Sequence, residues 1–287
     1  MEKQPDFLIA IEGVEKRFGE TVALKDLSFS VERGEIFGFL GPSGAGKTTT
    51  IKLLTRQLVP NAGSLHLFGQ ELSKLPQSVF DQIGILSDNS GLYERLSVYD
   101  NLSVFADLKK IEHSVIHECL ERVGLSGEEK KPAKSLSRGM KQRLMLAQAI
   151  LHKPKLLFLD EPTASLDPGT AKQIHDLLRF LNDQGTTIFL TTHNMEEADK
   201  LCSRVAFLNL GKIVVCDTPD TLKLRYSKNE IIVRMAAGQT FAVEKSREGL
   251  ALILEKLDGD GGSLVTIHSQ EPNLEQIFLQ LTGRGLS

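Results

Sequence analysis

The chain has 287 residues, of which 41% are hydrophobic and 25% are charged, and its formal net charge is −3 at pH 7. This length allows one large core, or one core with a small appendage. The slightly negative charge gives no electrostatic basis for binding nucleic acid. No apolar run approaches the length needed to cross a bilayer, and the polar segment Met1–Asp6 lacks the apolar centre of a signal peptide. We therefore expect a cytoplasmic protein that reaches a membrane only through a partner.

Apolar runs and helical spacings alternate along most of the chain. Residues 7–33 have strand patterns, and residues 72–150 are predicted to be mostly helical. Continuous apolar strands that alternate with helices are typical of a mostly parallel sheet covered on both faces. The other predicted elements are a strand at Ile36–Leu40, a helix from Thr49, a strand at Ser64–Phe68, a strand at Leu156–Leu159, a helix after Pro168, a strand at Thr186–Leu190 and a helix after Asn194, where Asn194 and Glu197 have capping-box spacing.

The pattern changes near Thr218-Pro219, which predicts a first domain over residues 1–218 and a second over residues 219–287. Two short strands, a helix, another strand and a last helix from Asn273 describe a small α+β appendage. Asn273 and Gln276 again have capping-box spacing. The appendage has about 70 residues, near the lower limit for an independent core. We therefore expect it to pack on the main domain or on a second copy, in a regulatory or dimerisation role.

A phosphate-binding loop is predicted between the strand Ile36–Leu40 and the helix that follows it. Residues Gly41–Thr48 fit the pattern G-x-x-x-x-G-K-[ST]. Glycines allow backbone N–H groups to curl around anionic oxygens, while Lys47 reaches terminal phosphates and the Thr48 hydroxyl binds Mg²⁺. The candidate nucleotide-binding residues here are Gly41, Pro42, Ser43, Gly44, Ala45, Gly46, Lys47, Thr48 and Thr49.

Asp160 and Glu161 form an acidic pair at the end of the apolar strand Leu156–Leu159. Unpaired buried carboxylates are costly, so the pair indicates a functional site rather than core. We expect Asp160 to bind Mg²⁺, directly or through water, and Glu161 to polarise the attacking water as a general base. The phosphate-binding loop alone leaves kinases, GTPases and ATPases open, and the acidic pair narrows that choice.

A second loop, Leu136–Met140, precedes a strongly periodic helix. Its Ser137 and Gly139 offer a hydroxyl and free N–H groups to an anion at a helix N-terminus. With this loop the chain resembles the ATP-binding cassette (ABC) ATPases, whose signature loop is Leu-Ser-Gly-Gly-Gln, over roughly residues 7–218. Further segments match that family in the same order: Asp160–Thr163 the Walker B segment, Ser165–Asp167 the D-loop, Thr191–His193 the switch histidine and Phe18 the position of an adenine-stacking aromatic residue.

The resemblance implies an α/β fold of the P-loop NTPase type. A mostly parallel sheet covered by helices would be joined by an N-terminal antiparallel β subdomain, a helical signature subdomain over about residues 88–152 and the small C-terminal α+β appendage. In that family two cassettes sandwich each ATP, with Mg²⁺, between the phosphate-binding loop of one and the signature loop of the other. A homodimer is the simplest closure. Ser137, Gly139 and Asp167 of one copy would then approach the other copy's nucleotide, and His193 would contact the γ-phosphate.

Two positions depart from the family pattern. Asp88 stands where the family commonly has a glutamine that senses Mg²⁺ and the γ-phosphate, and its charge predicts tighter Mg²⁺ use at some cost in switching. We expect Asp88→Gln to change the Mg²⁺ dependence of the ATPase rate; an unchanged dependence would mean that Asp88 is a solvated loop residue. In the signature loop, Arg138 and Met140 replace the usual Gly and Gln. Arg138 either adds a cation near the γ-phosphate or points to solvent.

Two further segments resemble exporter cassettes of the drug and lipid type. Residues Asn89–Leu102 are similar to the stretch that lines a groove for a helix of a membrane chain, and Glu271–Arg284 is similar to their C-terminal extension. The resemblance implies an ATPase subunit on the inner face of the cell membrane, with a separate permease docking near residues 88–102. Tyr93 and Leu96 either contact that permease or are ordinary packing residues. The alternative is a soluble ABC-type ATPase that acts in assembly of another cytosolic complex.

Overall fold

In the computed structural model, which describes residues 7–87, 91–164, 166–236, 238–259 and 263–283, the chain divides into two units between Asp217 and Thr218. The strands of the first unit are β1 (Phe7–Phe18), β2 (Thr21–Glu32), β3 (Ile36–Leu40), β4 (Ala62–Leu67), β5 (Gln70–Glu71), β6 (Ile83–Leu86), β7 (Leu156–Asp160), β8 (Thr187–Thr192), β9 (Arg204–Asn209) and β10 (Lys212–Asp217). Its helices are α1 (Lys47–Leu54), α2 (Val98–Lys109), α3 (Ser114–Arg122), α4 (Arg138–Ile150), α5 (Pro168–Asp183) and α6 (Met195–Leu201). The second unit contains α7 (Pro219–Arg225), β11 (Glu230–Met235), β12 (Thr240–Glu244), α8 (Arg247–Gly259), β13 (Leu264–Ser269) and α9 (Leu274–Thr282).

A six-stranded sheet in the order β10-β9-β3-β8-β7-β6 forms the centre of the first unit. Neighbouring strands are parallel except for β10, which pairs antiparallel with β9. Every residue of β3, β7 and β8 is buried, as expected for strands that are apolar along their length and covered on both faces. The predicted mostly parallel sheet is confirmed, and its strand ends place the site described below.

A second sheet, in the order β2-β1-β4-β5, is antiparallel throughout. Its fully buried residues include Leu8, Leu24 and Leu27, which share one apolar core with β3. Phe29 of β2 lies 5.4 Å from Phe37 of β3, measured between ring centroids, and the two rings are stacked. This packing holds the antiparallel sheet against the central sheet. It confirms the predicted β subdomain at the start of the chain.

One predicted segment is wrong in part. Residues 72–150 were expected to be mostly helical, but Ile83–Leu86 is β6, the edge strand that pairs in parallel with β7. Gly84 allows the close approach of this strand to α4, because a Cβ there would lie 2.2 Å from the carbonyl oxygen of Ala149. A four-residue apolar run fits a strand or a helix equally well by periodicity. Only the neighbouring β7 makes it a strand.

The second unit has a three-stranded antiparallel sheet in the order β12-β11-β13. Val233 and Met235 of β11 form a small apolar core with Ile253 of α8. Helix α9 begins with the predicted capping box, in which the Asn273 and Gln276 side chains each accept a hydrogen bond from the other residue's backbone N–H. Among the described residues, no helix has the length and apolar character of a membrane span.

Candidate nucleotide-binding site

The loop between β3 and α1 borders a cavity of about 310 Å³. Gly46 ends the loop with a φ of 115°, and a Cβ there would lie 2.6 Å from Cδ2 of Leu24, so glycine is required. No side chain caps the first turn of α1, which leaves its N–H groups available to an anion. The cavity is lined by Ala23, Pro42, Ser43, Gly44, Gly46, Lys47, Thr48, Thr49, Asp160 and Glu161.

Gly41 begins the loop in a position that leaves no room for a side chain. A Cβ there would lie 2.3 Å from the backbone oxygen of Leu208. We expect Gly41→Ala to lower the free energy of unfolding by about 3 kcal/mol, the upper part of the usual overpacking range. Gly44→Ala is the comparison, because nothing lies within 4 Å of its Cβ and the cost comes from its φ of 77° alone, about 1 kcal/mol. Urea unfolding of both variants measures the difference, and equal losses would contradict the predicted clash.

Lys47 connects the loop to the acidic pair. Its Nζ donates to the carbonyl oxygen of Gly41 at 2.6 Å and lies 3.2 Å from Oε1 of Glu161. The side chain is 7% exposed, so little water competes for these contacts. The ammonium group is therefore held beside the phosphate-binding loop by one carbonyl and one carboxylate.

Asp160 is buried at the end of β7 and is fully hydrogen bonded on both carboxylate oxygens. Oδ2 accepts from the Thr48 hydroxyl at 2.7 Å, and Oδ1 accepts from the Thr191 hydroxyl. These bonds offset the cost of burying the carboxylate. A carboxylate and a hydroxyl side by side are oxygen ligands of the kind that Mg²⁺ takes from proteins while phosphates supply others.

Glu161 contacts two of the predicted catalytic residues at once. Its backbone lies in the left-handed region, with a φ of 50°, which costs a non-glycine residue about 1–2 kcal/mol. Oε1 pairs with Lys47, and Oε2 lies 2.8 Å from Nδ1 of His193. Strained backbone of this kind is concentrated at functional sites. The fold thus brings Lys47, Glu161 and His193 together from three separate segments.

Phe18 ends β1 with its side chain 47% exposed, so it is not a core residue. The ammonium group of Lys16 lies 5.1 Å from the centre of its ring, a cation–π contact that holds one side of the ring. Phe18 does not line the phosphate cavity, although Ala23 of the adjoining strand does. An exposed aromatic ring at this position is free to stack on a nucleobase.

Stacking on Phe18 predicts limited discrimination between ATP and GTP. Every base has a π face, and Phe18 has no group that reads a base edge. We expect similar KM values for the two nucleotides. We also expect Phe18→Ala to raise both by a similar factor of roughly 5 to 150, since stacking contributes about 1–3 kcal/mol per base. A large preference for ATP that survives Phe18→Ala would rule this role out.

Ser137, Gly139 and Asp167 lie at the starts of two helices and do not line the cavity. Ser137 Oγ accepts from the backbone N–H of Met140 at 3.3 Å, and Asp167 Oδ1 accepts from that of Thr170 at 2.9 Å. Hydrogen bonds from Thr170 lower the pKa of Asp167. A Cβ on Gly139 would lie 3.1 Å from Cγ2 of Thr170, so the starts of α4 and α5 are adjacent. A single copy does not bring these three residues to the phosphate-binding loop.

Five residues of the predicted segments lie outside the described residues. They are Asp88, the predicted metal ligand, Asn89 and Ser90 beside it, Ser165 of the predicted D-loop, and Arg284 at the end of the exporter-like C-terminal segment. Their roles stay predictions.

Sequence analysis named Thr191 only as part of the switch-histidine segment and missed its contact with Asp160. Its hydroxyl satisfies one oxygen of Asp160, although the two residues are 31 positions apart in the chain. The position of Thr191 at the end of a predicted strand could have indicated this contact, because ligand sites of open α/β sheets lie at the carboxyl ends of the strands. The predicted strand Thr186–Leu190 ended one residue before Thr191. The observed β8 ends at Thr192.

The fold and the site define a nucleotide-binding protein of the P-loop NTPase class. The ABC transporter family profile matches residues 24–164. The fluoroquinolones export ATP-binding protein of Mycobacterium tuberculosis is 37% identical over 98% of this chain and 95% of its own length. The daunorubicin resistance ATP-binding protein of Streptomyces coeruleorubidus is 33% identical over 97% of this chain and 96% of its own length. A solved ATP-binding subunit of an ABC transporter is 26% identical, with a TM-score of 0.69 over 76% of this chain and 93% of that chain.

The chain therefore belongs to the ATP-binding subunits of the ABC transporter family. Membership in this family implies that the protein binds and hydrolyses ATP. The similarity to exporter cassettes predicted from the sequence is confirmed, because relatives named for export match nearly the whole chain.

Proposed function

We propose that this chain is the ATP-hydrolysing subunit of an exporter, in which two cassettes close around ATP and open after hydrolysis to drive a separate permease. The observation that carries the catalytic part is the convergence of Lys47, Thr48, Asp160 and Glu161 on one cavity. A cation, a metal-binding hydroxyl and carboxylate, and a base are the groups that phosphoryl transfer to water requires.

Each group has its own role in this proposal. Lys47 binds the terminal phosphates and neutralises part of their charge, which takes it away from Glu161. Asp160 and Thr48 would hold Mg²⁺, which would supply positive charge to the phosphates when bound. Glu161 accepts a proton from the attacking water. His193, with Nδ1 at 2.8 Å from Oε2 of Glu161, orients that carboxylate.

A second copy completes the site. Ser137 and Gly139 are at the start of α4, where N–H groups favour an anion, yet they lie outside the cavity of their own chain. We place this helix start against the γ-phosphate bound by the other copy. A two-fold homodimer supplies both halves with one kind of chain.

Cysteine crosslinking tests this arrangement. In the Glu161→Gln background with ATP, Ser43→Cys paired with Ser137→Cys should form a disulfide-linked dimer, which should be absent without nucleotide. Ser43→Cys paired with Ser203→Cys is the control, because Ser203 is exposed beside the opposite end of β3, where its N–H bonds to Ile36. Linkage through Ser203 but not Ser137 would exclude the proposed head-to-tail dimer.

The export part of the proposal is supported by how much of the chain the relatives match. Proteins named for fluoroquinolone export and Nod factor export match 98% and 96% of this chain. The match therefore extends beyond residues 24–164 and includes the second unit. If this chain serves in export, as the names of those relatives indicate for them, its ATP hydrolysis is coupled to a permease.

A permease surface is proposed next to α2. A cavity of about 360 Å³ lies among β6, α2 and α4, and Gly91 contributes to its lining. Tyr93, two residues later, is 54% exposed, so it is not an ordinary packing residue. Its backbone is fixed by the fully buried Asn101, whose Oδ1 accepts from the Tyr93 N–H at 2.8 Å and whose Nδ2 donates to the Tyr93 carbonyl oxygen at 3.1 Å. A rigidly held exposed aromatic residue two positions from a cavity-lining glycine suits a docked helix.

Recovery of a membrane-spanning polypeptide with the tagged chain after detergent extraction tests the permease proposal. Tyr93→Glu should release that polypeptide. Val59→Glu should retain it, because Val59 is 75% exposed but lies between α1 and β4. Recovery of cytosolic assembly proteins alone, unaffected by Tyr93→Glu, would favour the alternative function and overturn export.

A further inference from the structure

Glu197 is a buried carboxylate with no role in the site described above. Its side chain is 1% exposed, and Oε1 contacts two partners: the Thr163 hydroxyl at 2.6 Å and Nε2 of His175 at 2.8 Å. Burial raises the pKa of Glu197, but the hydrogen bonds from His175 and Thr163 act against burial, and the pKa is lowered overall. The group is therefore an ionised acceptor, and both contacts are charge-assisted hydrogen bonds.

The partners of Glu197 come from segments that carry site residues. Thr163 is two positions after Glu161. His175 lies on α5, the helix capped by Asp167. Because Glu197 lies on α6, its carboxylate connects the helix after His193 to the chain after the base and to the helix that follows the predicted D-loop.

The start of α6 shows that this connection replaces a local one. Asn194 Oδ1 accepts from the N–H groups of Glu196 and Glu197, both at 3.1 Å. In a full capping box the Glu197 carboxylate would bond back to the N–H of Asn194. That N–H donates instead to the Thr192 hydroxyl at 3.0 Å. The predicted capping box is thus only half formed, and the carboxylate is used for contacts across the fold.

The segment after Glu161 is also held from the other side. Gln142 of α4 donates from Nε2 to the carbonyl oxygen of Pro162 at 2.8 Å. Helix α4 is therefore hydrogen bonded to Pro162, and helix α6 is hydrogen bonded to Thr163 through Glu197. Helix α4 begins at the signature loop, and α6 begins just after His193.

We propose that Glu197 is a positioning residue, which sets the placement of Glu161 against His193 through Thr163 and the turn before α6. A displacement of α4 at its signature end reaches Glu161 through Pro162, and Glu197 resists that displacement from the opposite side. The inference rests on the roles proposed above for Glu161 and His193. It adds a set of hydrogen bonds that connects the signature helix, the base and the histidine.

Thr163→Val is the sharpest test, because it removes one hydroxyl and keeps the branched shape. We expect kcat to fall about tenfold, since a misplacement of about 1 Å at a catalytic group can cost up to 100-fold. The KM for ATP should stay within about twofold, because no phosphate contact is lost. Thr163→Ser, which restores the hydroxyl, should recover most of kcat. A kcat for Thr163→Val within about twofold of the unmutated value would overturn the proposal.

A second measurement separates positioning from general stability. In the His193→Ala background the Thr163–Glu197 hydrogen bond has no histidine to position, so Thr163→Val should lower the residual kcat no further. A tenfold fall in both backgrounds would mean a structural role only.

If Thr163→Val fails to fold, Glu197→Gln replaces it, because the amide keeps an acceptor oxygen and loses the charge. It should then lower kcat with KM for ATP unchanged, and an unchanged kcat overturns the proposal.

Two results distinguish a failure of the proposed function from a failure of the Glu197 positioning role. If the unmutated chain does not hydrolyse ATP, the proposed function is wrong. If it does so with a Glu161-dependent rate that Thr163→Val leaves unchanged, only the positioning role is wrong.

Discussion

Glu161→Gln should bind ATP and hydrolyse it at least about 100-fold more slowly than the unmutated chain. The amide keeps the size of the side chain but does not accept a proton, and general base catalysis contributes about 10²–10⁴-fold. It also removes the charge that holds Lys47 at 3.2 Å, so nucleotide affinity should be kept or raised. ATP should consequently trap the closed dimer. Single-turnover hydrolysis, equilibrium ATP binding and size-exclusion chromatography with ATP measure the three effects.

The control for this prediction is Glu196→Gln. Glu196 lies on α6, three positions after His193, and its exposed carboxylate forms an ion pair with Lys200. Its turnover should match that of the unmutated chain. Full turnover in Glu161→Gln would remove Glu161 from the role of base, and loss of ATP binding in that variant would mean a structural role instead.

Lys47→Ala should raise the Kd for ATP about 100-fold and abolish turnover. The ammonium group is buried beside the phosphate-binding loop, where it donates to Gly41. Its hydrogen bonds to a charged ligand are worth about 1.5–3 kcal/mol, or roughly 10- to 150-fold in affinity. The substitution also leaves Glu161 without its cation, which adds a repulsion toward bound phosphate. Calorimetric titration with ATP measures the change in Kd.

Lys52→Ala is the matched control for Lys47→Ala. Lys52 lies on the same helix but does not line the cavity. It should keep the Kd for ATP within about twofold, because no bond to phosphate is lost. Equal weakening by the two substitutions would indicate that the overall charge of α1, rather than the Lys47 contact, determines affinity.

The phosphate-binding loop and the acidic pair were predictable because each depends on residues that are close in sequence. Gly46 takes a backbone conformation that disfavours side chains, and Lys47 follows it directly. The apolar run of β7 predicted both a buried strand and the position of Asp160 at its end. The signature loop and the order of the motifs along the chain then carried the resemblance to the ABC family, which the comparisons confirm.

The amino-acid sequence by itself determined the class of fold, the phosphate-binding-loop pattern, the acidic pair at the end of a buried strand and the similarity to exporter cassettes. The tertiary structure decided which side chains satisfy one another: Thr191 on Asp160, Lys47 on Glu161, and Thr163 on Glu197. It also decided that Ile83–Leu86 is a strand. The reason is that local patterns report which face of an element is apolar. Hydrogen bonds and ion pairs between residues 31 to 114 positions apart depend on which strands and helices lie side by side.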